Sequence, residues 1–281
     1  MPENLFVINS QGEKELFSFK KVYHSVREVG VSKFLAIEIA KTIKNEAYPG
    51  IKTLEIFKKV KELLKKEAPG AAMRYSLKEG MRKLGPTGFP FEKYVGEIFS
   101  KNGFEVKLNQ YIQGQCSRYE IDFLAKKDNL FYIGECKYHN LPGEQVHLNI
   151  ALANYARFLD IKNGNFLKKD SFRNLRIESL LVTNTKFTAE VIQYSKCVNV
   201  KMLGWNYPRN KGLEHLIANQ KLYPVTILPS FKGKLVDVFS EKRMMLAKDV
   251  FKIEVKEFAK KNKIPEEKLE SMIKEAKVLL I

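Results

Sequence analysis

The chain has 281 residues, with 49 Lys and Arg against 32 Asp and Glu, a formal net charge of +17 and a pI near 9.6. That length allows two domains with sizeable cores, and the basic balance points to polyanionic partners, nucleic acid above all. Three isolated cysteines (Cys116, Cys136 and Cys197) argue against a disulfide scaffold, and the absence of a long apolar run or a signal-peptide core predicts a cytoplasmic protein with no membrane partner.

Charge is spread along the chain, with 17 basic and 10 acidic residues over 1–88, 19 and 13 over 89–230, and 13 and 9 over 231–281. A docking surface is therefore expected, and not a basic tail.

From the N-terminus, "LFVINSQGEKELFSFKKVYHSV" predicts a hairpin turning at Ser10-Gln11-Gly12 and then a helix. "SKFLAIEIAKTIKNEA" has apolar residues at helical spacing. "TLEIFKKVKELLKKEA" predicts a helix capped by Thr53 and stopped by Pro69-Gly70, and "AAMRYSLKEGMRKLG" a further one. This unit, residues 1–88, resembles the ATP-cone, a small nucleotide-sensing module. The likeness lies in the strand, the turn at Gly12, Phe17 and Lys21 entering the first helix, and the closing "MRYSLKEGMRKLGP". It implies ATP or dATP as an effector, met by Lys14, Lys20 and Lys21 with Gly12 allowing close backbone approach. The chain departs from the family at Asn9-Ser10, where a basic pair commonly precedes the turn glycine. A helical module that keeps the fold without the ligand is the alternative reading.

"GPTGFPFEKYV" is a short, stiff junction containing Pro86, Gly88 and Pro90, which implies fixed geometry between the flanking units. "FEKYVGEIFSKNGFEV" then predicts an amphipathic helix followed by a strand.

"YEIDFLA" and "LFYIGECKY" predict two strands turning at Asp128-Asn129, because Asp and Asn tolerate positive φ. Cross-strand partners then have numbers summing to 257, which places Asp122 opposite Glu135 and Glu120 opposite Lys137. Side-chain alternation puts all four groups on one face, continued as an apolar wall by Leu124, Phe131 and Ile133. Facing carboxylates repel, and burial adds a desolvation cost. A hard divalent cation, Mg²⁺ or Mn²⁺, removes both objections, and Lys137 is placed to orient a water or stabilise developing phosphate charge. The plainer reading is a structural Glu120–Lys137 pair at a solvated strand end.

"EIDFLA" followed by "IGECKYHN" resembles the Asp…Glu-x-Lys signature of the restriction-endonuclease-like nucleases, the Mrr type in particular. The resemblance covers about residues 88–229. It implies metal ligation by Asp122 and Glu135, water activation by Lys137, and completion of the site by Glu92 at the position of the family's first-helix glutamate. Glu120 is a further candidate ligand. The order after the hairpin fits as well. "VHLNIALANYARFLDI" predicts a helix, and "SLLVTNTKFTAEVIQYSKCVNVKMLGW" a strand, helix and strand. His139, Asn140, Tyr155 and Arg157 are candidate phosphate contacts, and the four histidines show no metal-ligand spacing.

Residues 230–281 are Lys-rich and helical, with "IPEEKLESMI" as a helix start. They are similar in outline to a helix-hairpin-helix but lack its glycine hairpin, so a helical cap or dimer arm is the other reading. The expected whole is an α/β chain: an ATP-cone-like domain (1–88), a nuclease domain (89–229) and a basic helical segment (230–281). Its expected activity is Mg²⁺-dependent DNA endonuclease, with homo-oligomers conceivable. The alternatives are a nucleotide-responsive DNA-binding protein without cleavage, or a nuclease acting on RNA or signalling oligonucleotides.

Overall fold

A computed structural model describes residues 5–85, 87–232 and 235–281; Pro86 of the junction lies outside them. In chain order the elements begin with β1 (Phe6–Ile8), β2 (Lys14–Leu16), α1 (Phe19–Arg27), α2 (Lys33–Glu46), β3 (Ile51–Lys52), α3 (Thr53–Glu67), α4 (Pro69–Tyr75) and α5 (Leu77–Arg82). They continue with α6 (Phe89–Lys101), β4 (Glu105–Gln113), β5 (Arg118–Lys127), β6 (Leu130–Lys137), β7 (Gln145–Val146), α7 (Leu148–Asn163), β8 (Arg176–Thr183), β9 (Lys186–Phe187), α8 (Ala189–Cys197) and β10 (Lys201–Leu203). Helices α9 (Leu213–Asn219), α10 (Leu235–Glu241), α11 (Val255–Asn262) and α12 (Glu266–Leu280) follow. The chain is α/β with mixed sheets, and among the described residues no helix is long and apolar enough to cross a membrane.

One compact unit comprises Met1–Gly80, Ile227–Phe231 and Val250–Ile281. The hairpin turns as expected, with Gly12 at φ +85°, but β1 also takes β3 as a parallel partner. Two residues are too short to show any strand period. Ser18 and Ser32 cap α1 and α2 through their hydroxyls, satisfying N–H groups that a helix start leaves open. Thr53 is not the cap of α3: Lys52 holds that position, with no side-chain bond.

The C-terminal segment is not a unit of its own. Gly70 lets α4 approach α12, since a Cβ there would lie 2.5 Å from the Val278 carbonyl oxygen. Arg74 donates to the carbonyls of Val29 (2.9 Å) and Leu279 (3.1 Å), and Glu275 accepts from the amide and hydroxyl of Ser230. Long-range pairing of this kind leaves no trace in local sequence, which is why 230–281 read as a separate arm.

The second unit comprises Met81–Thr226 and Lys232–Asp249. Its five-stranded sheet has the order β10-β8-β6-β5-β4, antiparallel from β4 to β6 and parallel from β6 to β10. Alternation sorts the two faces. Phe123 turns to α6, where it meets Phe99 at 5.2 Å between ring centroids. Leu124, Phe131 and Ile133 pack instead with Ile161 of α7. Phe91 and Tyr94 of α6 are fully buried, the Tyr94 hydroxyl donating to the Leu222 carbonyl at 2.8 Å. Each such aromatic stabilises the fold by about 2–3 kcal/mol of removed apolar surface.

Candidate active site

The β5–β6 hairpin has the register expected from its turn: Lys127 pairs with Leu130, and four further pairs run to Phe123–Gly134. Asp128 at the turn has φ +52°. Gly134 is required where it stands, because a Cβ there would lie 2.2 Å from the Phe123 ring. The expected oppositions of Asp122 with Glu135 and of Glu120 with Lys137 do not form, since the ladder ends at Gly134. Beyond it the Cys136 amide donates to the Asp122 carboxylate at 2.6 Å, and Glu135 and Lys137 continue on β8 opposite Leu181 and Thr183.

The β4 side is interrupted at the same point. Register would set Asn109 opposite Asp122, yet that pair is missing from the ladder and Asn109 has φ +50°. Its side-chain amide donates to Glu92 of α6 at 3.2 Å. Asp122 thus sits where β6 leaves β5 and where the β4–β5 ladder skips one pair before resuming at Gln110 and Ile121. Left-handed backbone within a strand breaks the pairing locally, and Asn is among the residues that tolerate it.

Electrostatics bind these acids into one cluster. Burial and the charge of Asp122 push Glu92 up to about 7, even though Asn109 donates to it. Glu135 is also pushed up to about 7, by burial and by Asp122, against the opposing pull of Arg157. Asp122 is raised by burial, and the Cys136 amide and Arg157 hold it down. Burial carries the Cys136 thiol well above its ordinary range, with the three carboxylates adding to the shift.

Arg157 of α7 donates to Glu135 and is the cation paired with this cluster. Tyr155 lies apart from it: residues two apart on a helix point away from each other, and Tyr155 packs against Tyr194 in the apolar cluster around Val146 and Leu181. Glu120 is exposed and pairs with Tyr111, whose hydroxyl donates to it at 3.2 Å, although its charge still raises both Glu92 and Asp122.

His139 is fixed just beyond Lys137. Asn184 accepts its amide (2.9 Å) and donates to its carbonyl (2.7 Å), and Glu144 meets its Nδ1 at 3.2 Å. Asn140 is exposed. Asn109 and Asn184 escape a motif-based reading, because their roles arise from contacts across elements.

The acids supply hard oxygens of the kind Mg²⁺ and Mn²⁺ prefer. Among the described residues no group of three or more His, Cys, Asp or Glu stands in metal-holding spacing. Asp122, Glu135 and Glu92 each face a protein donor instead.

In the first unit, Lys20 and Lys21 line a cleft of about 380 Å³ with Ser18, His24, Ser25 and Glu28. Lys21 also pairs with Glu15 at 3.0 Å. Lys14 lies over the Phe6 ring, and Gly12 has open space around it. Asn9 organises the turn, its side-chain oxygen accepting the amides of Gln11 and Glu13.

Comparison with known proteins adds a family. The model described as "AF1548-like, C-terminal" matches residues 223–280. An Archaeoglobus fulgidus relative named "Uncharacterized protein" is 36% identical over 156 residues, 56% of this chain and 83% of the relative. The crystal structure of a protein of unknown function, AF1548, has a TM-score of 0.58 at 32% identity, covering 69% of this chain and 98% of that one.

Proposed function

The chain belongs to the AF1548-like family, and we propose that it is a metal-dependent nuclease, most simply a DNA endonuclease, built on Asp122, Glu135 and Lys137. The observation that carries the reading is the break in pairing at Asp122, where the β5–β6 ladder ends and the β4–β5 ladder skips one pair. That break leaves a half-buried carboxylate electrostatically coupled to Glu135, near the end of a strand whose last residue is Lys137.

Asp122 and Glu135 would hold Mg²⁺ or Mn²⁺, with Glu92 and Glu120 as flanking oxygen donors. The ion, when bound, supplies positive charge for the phosphodiester and acidifies a water. Lys137 orients that water or meets the charge developing on phosphorus. Arg157 neutralises Glu135 in the metal-free protein and is then available to a substrate phosphate.

A second reading rests on the same contacts. If the protein donors on Asp122, Glu135 and Glu92 persist, the chain binds nucleic acid without cutting it. Incubation with single-stranded, duplex, branched and methylated DNA, and with RNA, with and without Mg²⁺ or Mn²⁺, separates the two. Metal-dependent cleavage of any substrate supports the nuclease, and binding with no cleavage of any supports the second reading.

Binding to nucleic acid should be strongly salt-dependent on either reading. For about six phosphate contacts the slope of log K against log salt is roughly −5. A slope near zero in a filter-binding or anisotropy titration rejects both.

The first unit is proposed to bind ATP or dATP at the cleft beside Lys20 and Lys21, on its likeness to an ATP-cone. Calorimetry should give a Kd in the micromolar range, weakened about tenfold by Lys21→Ala through loss of a charged contact. Binding alone is not regulation, since an effector shifts an equilibrium only by its differential affinity for two states. Sizing and cleavage with and without nucleotide test the coupling. No heat with either nucleotide assigns this unit a structural role.

A further inference from the structure

A cleft of about 500 Å³ lies in the second unit among α6, β6, β8, α8 and β10, within the size range of small-molecule sites. Phe99, Phe104 and Tyr132 line it on one side. Their centroids are 5.2 to 6.2 Å apart, and the Phe104 and Tyr132 planes are tilted by only 31°. Leu180 and Met202, both buried, give it an apolar floor. It is separate from the carboxylate cluster: Tyr132 belongs to the even-numbered set of β6, and Glu135 and Lys137 to the odd-numbered set on the other face.

The cleft's polar groups are placed unlike its apolar ones. Ser195 of α8 is fully buried at its wall, yet its hydroxyl has no hydrogen-bond partner among the described residues. A buried hydroxyl left unpaired is costly, so a hydrogen-bonding ligand atom brought to it is favoured. The next residue, Lys196, is exposed on the rim and makes no ion pair among the described residues. Lys201 is engaged, by Asn199 at 2.9 Å and Glu178 at 3.6 Å, which leaves Lys196 as the freer cation.

Aromatic walls, one unsatisfied hydroxyl and one unpaired ammonium ask for a flat ring with polar edges and an attached anion. We infer that this cleft binds a nucleobase bearing a 5′-phosphate, the ring against Phe104 and Tyr132, a base-edge atom at the Ser195 hydroxyl, and the phosphate at Lys196. Base–aromatic stacking is worth enough per base to hold such a ligand at micromolar strength. The same chemistry is offered by a free mononucleotide or by the phosphorylated end of a strand. The site stands apart from the nuclease reading and from the cleft at Lys21.

The test is calorimetry on the full chain at low salt, with a nucleoside 5′-monophosphate, its nucleoside, inorganic phosphate, and a short 5′-phosphorylated single strand. The monophosphate is expected to bind, and the nucleoside and phosphate to bind at least about tenfold more weakly. Lys196→Ala and Ser195→Ala should each weaken it about tenfold, while Lys21→Ala and Lys137→Ala leave it unchanged. Ser195→Ala should also raise Tm in the ligand-free protein, so a weaker complex from a more stable protein cannot be misfolding. Lys196 is exposed, so its variant keeps the fold and gives an independent reading.

Strand binding that needs Lys196 and is competed by the monophosphate identifies a strand end as the source. Monophosphate binding alone identifies a free nucleotide. Binding of none of these probes overturns the inference. So does binding that survives both Lys196→Ala and Ser195→Ala, or that disappears with Lys21→Ala.

Discussion

Asp122→Ala, Glu135→Ala and Lys137→Ala should each lower metal-dependent cleavage by about 10²- to 10³-fold, the scale of losing one preorganised electrostatic group. Nucleic-acid binding should survive all three. Glu135→Ala should even tighten it, because a negative charge leaves a surface that meets phosphate. Glu135→Ala removes a carboxylate that burial and Asp122 disfavour but leaves Arg157 without its partner, and Glu135→Gln, which can still accept from Arg157, is the companion variant.

Arg157→Met supplies the internal control. It removes the cation that competes for Glu135, so metal affinity should rise, while cleavage falls if Arg157 goes on to hold a phosphate. A structural ion pair would lower stability and leave both of these readouts in place. Wild-type cutting by Glu135→Ala or Lys137→Ala would falsify the catalytic assignment, provided circular dichroism confirms the fold of each variant.

The hairpin behind this prediction was legible because one short turn dictates it. Asp128-Asn129 sets the register, the register sets parity, and parity puts Asp122 and Glu135 on the face with Leu124 and Ile133. The break in pairing at Asp122 was not legible. It depends on Asn109 turning left-handed in a neighbouring strand and on a side chain taking the Cys136 amide, and neither follows from the pattern of apolar residues. Arg157 was found for its charge but could not be told from Tyr155, since the face that α7 turns to the sheet is fixed by packing around Ile161. In the other unit the hairpin and helices could be read locally. The third strand and the seat of α12 beside Gly70 join residues about 40 and 200 positions apart, a distance over which local propensity is silent.

The acid cluster also predicts how metal affinity and stability should vary with pH. Glu92 and Glu135 titrate near 7 in the folded chain against an ordinary 4.5, so between those values the folded state holds protons that the unfolded state has released. Stability of the metal-free protein from these two groups is therefore present at low pH and lost as pH rises through about 7. The groups facing them do not reverse the sign. At Glu92 burial, Asp122 and Glu120 outweigh Asn109 and Lys93, and at Glu135 burial and the neighbouring carboxylates together outweigh Arg157.

A metal ion takes the deprotonated carboxylates, so its binding must release these protons. Mn²⁺ affinity should then fall by about two to three decades between roughly pH 7.5 and 5.5, a steep slope because two acids must ionise together. Glu135→Gln should flatten that slope and raise the Tm of the metal-free protein near pH 8, where the wild type carries a desolvated charge facing Asp122. Thermal melts against pH with and without Mn²⁺ measure both effects. If the wild type and Glu135→Gln give the same pH dependence with and without the ion, Glu135 holds no metal and the cluster serves only to shape the end of the sheet.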